Sequence, residues 1–261
     1  GPLSKTNSGT LVLTGTNTYN NGTTISGGTL SVAADSNLGN ASGDITFNGG
    51  TLGASSGFTT ARGLVLTGAG SIDVASGETL TASGVVSGAG ALTKTNTGSL
   101  VLSGTNTYSG GTTISGGVVS VSDNAGLGDS SGALTFNGGT LTSTSGYTDS
   151  RNVAMSGAGT MDVNSGQTVT MSGVVSGSGA LTKTDSGTLV LSGINTYTGG
   201  TVLSDGVIAV SANSGLGGSS GALTFSGGTL TSTSGYADSR NVVMSGAGTM
   251  DVNSGATVTM S

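Results

Sequence analysis

The residues able to do chemistry are few in this chain, and most recur at one spacing. Asp73, Asp162 and Asp251 stand 89 residues apart in GAGSIDV, GAGTMDV and GAGTMDV. The pattern is similar to the calcium-binding nonapeptide GGxGxDxUx, but two residues, not one, separate Gly from Asp. One such Asp per 89 residues falls short of the six to eight oxygens that calcium takes. These acids are therefore read as outward strand residues, and no metal site is expected. Tyr147, Asp149 and Arg151 form GYTDSRN, and Tyr236, Asp238 and Arg240 repeat it as GYADSRN. The first copy reads Phe58-Thr-Thr-Ala-Arg62 and lacks the Asp. Tyr and Arg are favoured at binding hot spots, so these six residues are the candidate surface contacts. The reading preferred for them is a plain loop ion pair, contributing about 0–1 kcal/mol.

Three further sets share the spacing. Tyr19, Tyr108 and Tyr197 sit in Asn-Thr-Tyr turns. Their rings suit sugar stacking, but so sparse a set is better read as packing over the corners of the chain. Asn17, Asn106 and Asn195 in the same turns suit buried amide ladders that satisfy corner groups. Lys5, Lys94 and Lys183 belong to no GxxxxGK[ST] phosphate loop and are expected to be solvated edge charges.

Absences narrow the chemistry. The chain has no His and no Cys, which removes Ser-His-Asp and Cys-His catalysis and the HExxH zinc site. No two acids adjoin in sequence to share acid–base work. No catalytic or cofactor-binding residue is assigned, no cofactor is expected, and the chain reads as a non-enzyme. The six basic residues are scattered and form no patch for nucleic acid. No apolar run approaches the roughly 18 residues of a membrane span, so no membrane insertion is expected.

The elements that position these residues follow from composition and periodicity. Of 261 residues 52 are Gly and one is Pro, and the net charge is −6. Gly-rich, Thr-rich sequence does not sustain helices. The 89-residue repeat gives copies at 5–93, 94–182 and 183–261, the last truncated. The second and third differ at 17 of 79 comparable positions. Residues 1–4 read as the scar of a cleaved tag, so the native protein is expected to be longer. Within a copy a small motif recurs, a strand, a Gly-rich corner and another strand. It runs Ile114–Val118, Phe136–Thr140, Met155–Thr160 and Val175–Ala180, then returns at Leu203–Val207. The starts fall at unequal steps, the last of them the longest. Four coils of about 22 residues per repeat, about 12 in all, predict one continuous all-β parallel β-solenoid. Leu134 and Phe136 share the inward face and Thr135 points out, while Gly supplies the corners. Steps this unequal argue against one flat Thr ladder.

The run Gly179-Ala-Leu181-Thr-Lys183-Thr-Asp-Ser-Gly-Thr-Leu-Val-Leu191-Ser-Gly-Ile-Asn195-Thr-Tyr197-Thr-Gly-Gly-Thr-Val is similar to the autotransporter-associated β-strand repeat. That repeat is also called the passenger-associated transport repeat. The same run stands at Gly90–Thr113, and most of it at Lys5–Thr24. The resemblance implies a passenger of a Gram-negative type V secretion protein, folded as a right-handed parallel β-helix. It implies export through the protein's own outer-membrane β-barrel translocator, absent from this sequence, and a cell-surface or extracellular location. The expected function is a structural stalk of an autotransporter-type adhesin, supporting adhesion, biofilm formation and passenger export. The alternative is a recognition module whose outward Thr and Ser faces bind a glycan, a host or matrix surface, another copy of itself or, more remotely, ice.

Overall fold

The computed structural model describes residues 1–261 and is built from short parallel strands, with three 3₁₀ turns as its only helical elements. It is a β-solenoid of about 13 turns. Two compact units are formed, Gly1–Val121 with Ala125–Ala133, and Ser122–Asn124 with Leu134–Ser261.

In the first unit the chain winds through three sides. The first side stacks Leu3–Lys5, Thr23–Ile25, Ile45–Phe47, Leu64–Leu66 and Val86–Ser87. The second stacks Thr10–Leu13, Thr29–Val32, Thr51–Ala54, Gly70–Val74, Leu92–Thr95 and Thr112–Ile114. The third stacks Phe58–Thr60, Thr79–Ala82, Ser99–Leu102 and Val118–Val121. Residues 1–4 thus enter the fold, because Leu3 and Ser4 pair with Thr23 and Thr24.

The second unit is wound in the same way. Leu134–Phe136, Val153–Met155 and Val175–Gly177 stack on one side. A second side runs from Thr140–Ser143 through Gly159–Val163, Leu181–Thr184, Thr201–Leu203 and Leu223–Phe225 to Val242–Met244. A third runs from Tyr147–Asp149 through Thr168–Met171, Thr188–Leu191, Val207–Val210 and Thr229–Ser232 to Thr249–Val252. No helix is long and apolar enough to cross a membrane.

Alternation sets the core as the sequence predicts. Leu30, Leu52 and Ile72 are fully buried and lie in register on the second side. The matching outward row of the first unit is Thr10, Thr29, Thr51, Ser71, Thr93 and Thr113, unbroken and in register. Corners absorb the differences in coil length, so unequal steps leave the outward row continuous and in register. Glycine is required where coils meet most closely. A Cβ on Gly179 would overlap the Gly157 carbonyl, and one on Gly159 would enter the Phe136 ring.

The register also replaces the expected coil. On the first side the paired residues run Leu3, Thr23, Ile45, Leu64 and Val86, each one coil after the last. The longer step from Val175 to Leu203 does not join neighbours on one side, because Val175 stacks on Val153 and Leu203 on Lys183. That step is one coil and one further side. The 89-residue repeat is therefore four coils and a third, not four.

The lysines are not edge charges. Lys94 is 0% exposed and stands in the inward column between Ile72 and Ile114. Leu92-Thr-Lys94-Thr alternates, which puts Lys94 on the inward face with Leu92. Its Nζ donates to the carbonyls of Thr95 (2.7 Å), Asn96 (2.9 Å) and Gly116 (3.4 Å). Lys183 is likewise 0% exposed and donates to Thr184 and Asp185, both at 2.6 Å. Lys5, 7% exposed, donates to Thr6, Asn7 and Gly27 at 2.7–2.9 Å. The turn carbonyls converge because Asn7, Asn96 and Asp185 take φ of 60°, 61° and 57°, and the ammonium gathers them.

Burial pushes the Lys94 ammonium down from 10.5 to about 8, against an upward pull from Asp73. Lys183 is lowered by the same cause. Above pH 8 the unfolded chain still holds a proton that folded Lys94 has released, so raising the pH favours the fold. Tyr147 and Tyr197 act oppositely, since burial raises both to about 12. Above pH 10 their unfolded forms ionise first and stability falls. Urea unfolding across pH 7–12 should thus show stability rising from about pH 8, by at most about 3 kcal/mol for Lys94, and turning over above about pH 10. Lys94→Met should reduce the rise to the share left by Lys183; an unchanged slope in that variant would refute the assignment.

Candidate functional site

Each repeat interrupts one side of the coil for two successive turns, and the polar residues gather there. In the first unit the third side is interrupted by the Asn17–Tyr19 corner and then by the 3₁₀ turn Asp35–Leu38. Ladder bonds persist through the gap, with Asn17 N donating to Ser36 O at 3.0 Å and Asn40 N to Tyr19 O at 2.8 Å. So short a helical turn makes few internal bonds and leaves carbonyls without partners. Arg62, from the coil that follows, collects them. Its Nη2 donates to Gly39 O (2.8 Å) and Asp35 O (3.1 Å), and its Nη1 to Gly43 O (3.0 Å) and Asn40 O (2.5 Å). Its Nε and Nη2 hold the Asp35 carboxylate at 2.8 and 3.1 Å.

The second unit contains the same clamp with its acid elsewhere. Arg240 Nη1 donates to Leu216 O (2.6 Å), and Nη2 to Asn213 O (2.8 Å) and Gly217 O (3.3 Å). Its Nε meets Asp238 Oδ2 at 2.6 Å. Arg151 Nε meets Asp149 Oδ2 at 2.6 Å, and Nη2 donates to Asn124 O at 2.8 Å. The planar guanidinium, always charged, fits such a fan of acceptors better than an ammonium.

The six candidate contacts are placed by this geometry. Asp149 and Arg151 are 0% and 1% exposed, and Asp238 and Arg240 are 2% and 3%. They are interior groups, out of reach of a surface partner, because the carbonyls they serve lie inside the coil. They are also not the solvated loop pair expected, since a desolvated pair broken at one partner costs about 3–5 kcal/mol. Tyr147 and Tyr236 are half-buried on the strands that carry these acids. The Tyr147 hydroxyl shares a hydrogen bond with Ser143 Oγ at 2.8 Å.

The Asn-Thr-Tyr residues close the corner. Tyr108 and Tyr197 are fully buried, and their hydroxyls bond Thr112 and Thr201 Oγ1 at 2.6 Å. They pack over the corner and offer no face to a sugar. Asn195 Oδ1 accepts from Val175 N and its Nδ2 donates to Gly215 O, both at 2.8 Å. Asn106 does the same between Val86 N (2.8 Å) and Gly126 O (2.7 Å). Each amide brackets three coils singly, so no amide ladder forms. In the first copy Asn37 adds a second bracket, accepting from Ala33 and Ala34 N at 2.9 and 3.0 Å. Sequence reasoning missed Asp35 and Asn37. The signal for Asp35 was its position, which Asn124 and Asn213 occupy in the later copies.

The strand acids make local bonds only. Asp162 accepts from Thr142 and Thr184 Oγ1 at 3.0 and 2.9 Å, and Asp73 from Thr95 Oγ1 and Asn96 Nδ2 at 3.1 and 3.0 Å. Asp251 is exposed. No group of three or more His, Cys, Asp or Glu is placed to hold a metal ion. The polar cluster holds carbonyls in place.

A stacked coil with one clamped corner in every 89 residues defines a repeat-built β-solenoid, and comparison finds transport repeats in it. The passenger-associated-transport-repeat profile matches residues 3–32, 92–121 and 181–210. The chain carries three copies of this transport repeat, each ending just before a 3₁₀ turn. Over 43 residues, 16% of this chain, it is 60% identical to the adhesin BmaC autotransporter of Brucella suis biovar 1 (strain 1330). The match covers 1% of that protein. No solved structure matches the chain. These repeats give the chain a cell-surface or secreted location.

The two clamp designs are interchangeable in geometry, which yields a stability test. Thr60→Asp places a second carboxylate on Arg62 and should destabilise the chain by about 1–3 kcal/mol. Combined with Asp35→Asn, which recreates the later copies, it should recover to within about 1 kcal/mol. Arg62→Ala should cost about 3–5 kcal/mol. Urea denaturation reads all three, and a double variant no better than Thr60→Asp alone would contradict the shared clamp.

Proposed function

We propose that this chain is a passenger segment of an autotransporter-type adhesin, a stiff stalk that supports adhesion or biofilm formation. The observation that carries this reading is the clamp itself. Every cation that recurs with the repeat, together with Tyr108 and Tyr197, is spent on closing a turn or a corner of the coil. What remains outside is mostly Thr, Ser, Asn, Ala and Gly, with scattered Asp and a few apolar side chains such as Val12 and Ile194, a surface suited to spacing and to weak repeated contact. The transport repeats support a passage through a β-barrel translocator belonging to the same protein. The adhesin named above supports an adhesive role for the whole, of which this chain is a small part. No catalytic role is assigned.

The in-register row Thr10, Thr29, Thr51, Ser71, Thr93 and Thr113 favours a second reading, direct recognition through an outward hydroxyl face. Near-identical copies would then act by multivalency, which can raise avidity by about 10²–10⁴ without any new contact. The ligand would be a glycan, a matrix or host surface, or another copy of the chain, and thermal hysteresis would detect ice binding. Binding of the 261-residue chain and of a one-copy version to glycans, matrix proteins, abiotic surfaces and itself separates the readings. A stalk is expected to show no saturable binding while remaining folded, β-rich and monomeric. Saturable binding that strengthens sharply with copy number would replace the stalk by the adhesive reading.

A further inference from the structure

The repeat and the coil do not share a period, and this decides where each copy faces. Four coil steps carry Leu3 to Val86 on the first side, but the residue 89 positions after Leu3 is Leu92, on the second. Within the first unit, Thr10–Leu13 lies on the second side and its counterpart Ser99–Leu102 on the third. Within the second unit, Leu134–Phe136 stacks with Val153–Met155, whereas its counterpart Leu223–Phe225 stacks with Thr201–Leu203. In each unit the later copy is turned by one side of a three-sided coil.

We infer that successive copies present the same outer surface to successive sides. A partner gripping the equivalent patch on two adjacent copies at once must then be a flexible polymer that reaches round the coil, not a flat face. The inference rests on the repeats serving adhesion; the rotation itself does not. Outward residues are mostly uncharged and hydroxyl-bearing, so a neutral polysaccharide chain fits this surface better than a polyion does. Near-identical copying of the repeat would thus extend contact in all directions rather than strengthen one contact line.

The chain has no Cys, so pairs of handles can be placed cleanly. Val12 is 59% exposed. Its equivalent in the next copy is Val101, on another side, while Thr95 stands above Val12 in the outward row through Ser31, Gly53 and Asp73. The variants Val12→Cys/Thr95→Cys and Val12→Cys/Val101→Cys, beside Val12→Cys alone, are labelled with desthiobiotin on a short linker. Dissociation is then followed from a planar streptavidin layer and from streptavidin carried on flexible dextran. The stacked pair should leave the plane at least tenfold more slowly than the single label, and the equivalent pair within about twofold of it. On dextran both pairs should be retained. Equal retention of the two pairs on the plane would overturn the inference. Spin-label distances on the same variants read the geometry independently: about 19 Å is expected for the stacked pair, four strand spacings, and a longer distance for the equivalent pair. Equal distances would also overturn it. Neither readout depends on a natural ligand, so failure of the adhesive reading is seen separately, as absence of binding by the unlabelled chain.

Discussion

The hydrogen-bonded ladder between successive coils is the constraint on which everything else here depends. Each strand takes its partners only from the coils before and after it, so every side must remain in register from turn to turn. Inward columns such as Leu30, Leu52 and Ile72 follow from that register, as does the outward hydroxyl row beside them. Length variation is forced into the corners, where glycine tolerates close approach. Paired positions such as Leu3, Thr23, Ile45 and Leu64 are therefore unequally spaced along the chain, yet no side loses its pairing.

Where the ladder is interrupted, side chains take over its work. The Asn-Thr-Tyr corner and the 3₁₀ turn expose carbonyls that no strand satisfies. Buried polar groups left unpaired cost about 1–3 kcal/mol each. Arg62, Arg151 and Arg240 supply several donors from one planar group, and Asn106 and Asn195 join a donor on one coil to an acceptor on another. The buried lysines do the same for a different turn. In a chain with only six basic residues, the cations thus serve the backbone, and their burial removes them from any surface chemistry.

Much of this was legible in the sequence, for a stated reason. Period-two alternation and glycine-rich corners are local, so strand type, inward residues and solenoid class could be read directly. The count of coils could not, because the strand–corner–strand motif occurs on all three sides and looks the same on each. Val175 and Leu203 carry that motif, yet they lie on different sides. Lys94 was legible in principle, as Leu92-Thr-Lys94-Thr alternates, but its charge argued for the surface more strongly than its position argued for the core. Asp35 was hidden for a different reason. Its partner Arg62 lies on the next coil, and only aligning Asp35 with Asn124 and Asn213, and Thr60 with Asp149 and Asp238, shows that a carboxylate has moved from one coil to another.

The mismatch between repeat and coil has a structural consequence beyond display. An interrupted side is a weak side, because a corner and a 3₁₀ turn replace two strands of its ladder. Were the repeat a whole number of coils, every interruption would fall above the last, and one side would carry a seam of missing strands. With an extra third of a coil, the interruption moves. In the first unit it lies on the third side at Asn17–Tyr19 and Asp35–Leu38, and next on the first side, where Thr107 N bonds Val86 O. The third side is by then continuous from Phe58–Thr60 to Val118–Val121. This requires the three sides to be interchangeable, each offering short strands with apolar residues inward and small polar ones outward. The monotony of the composition is what permits that exchange: a side can stack on any other only if none is chemically distinct.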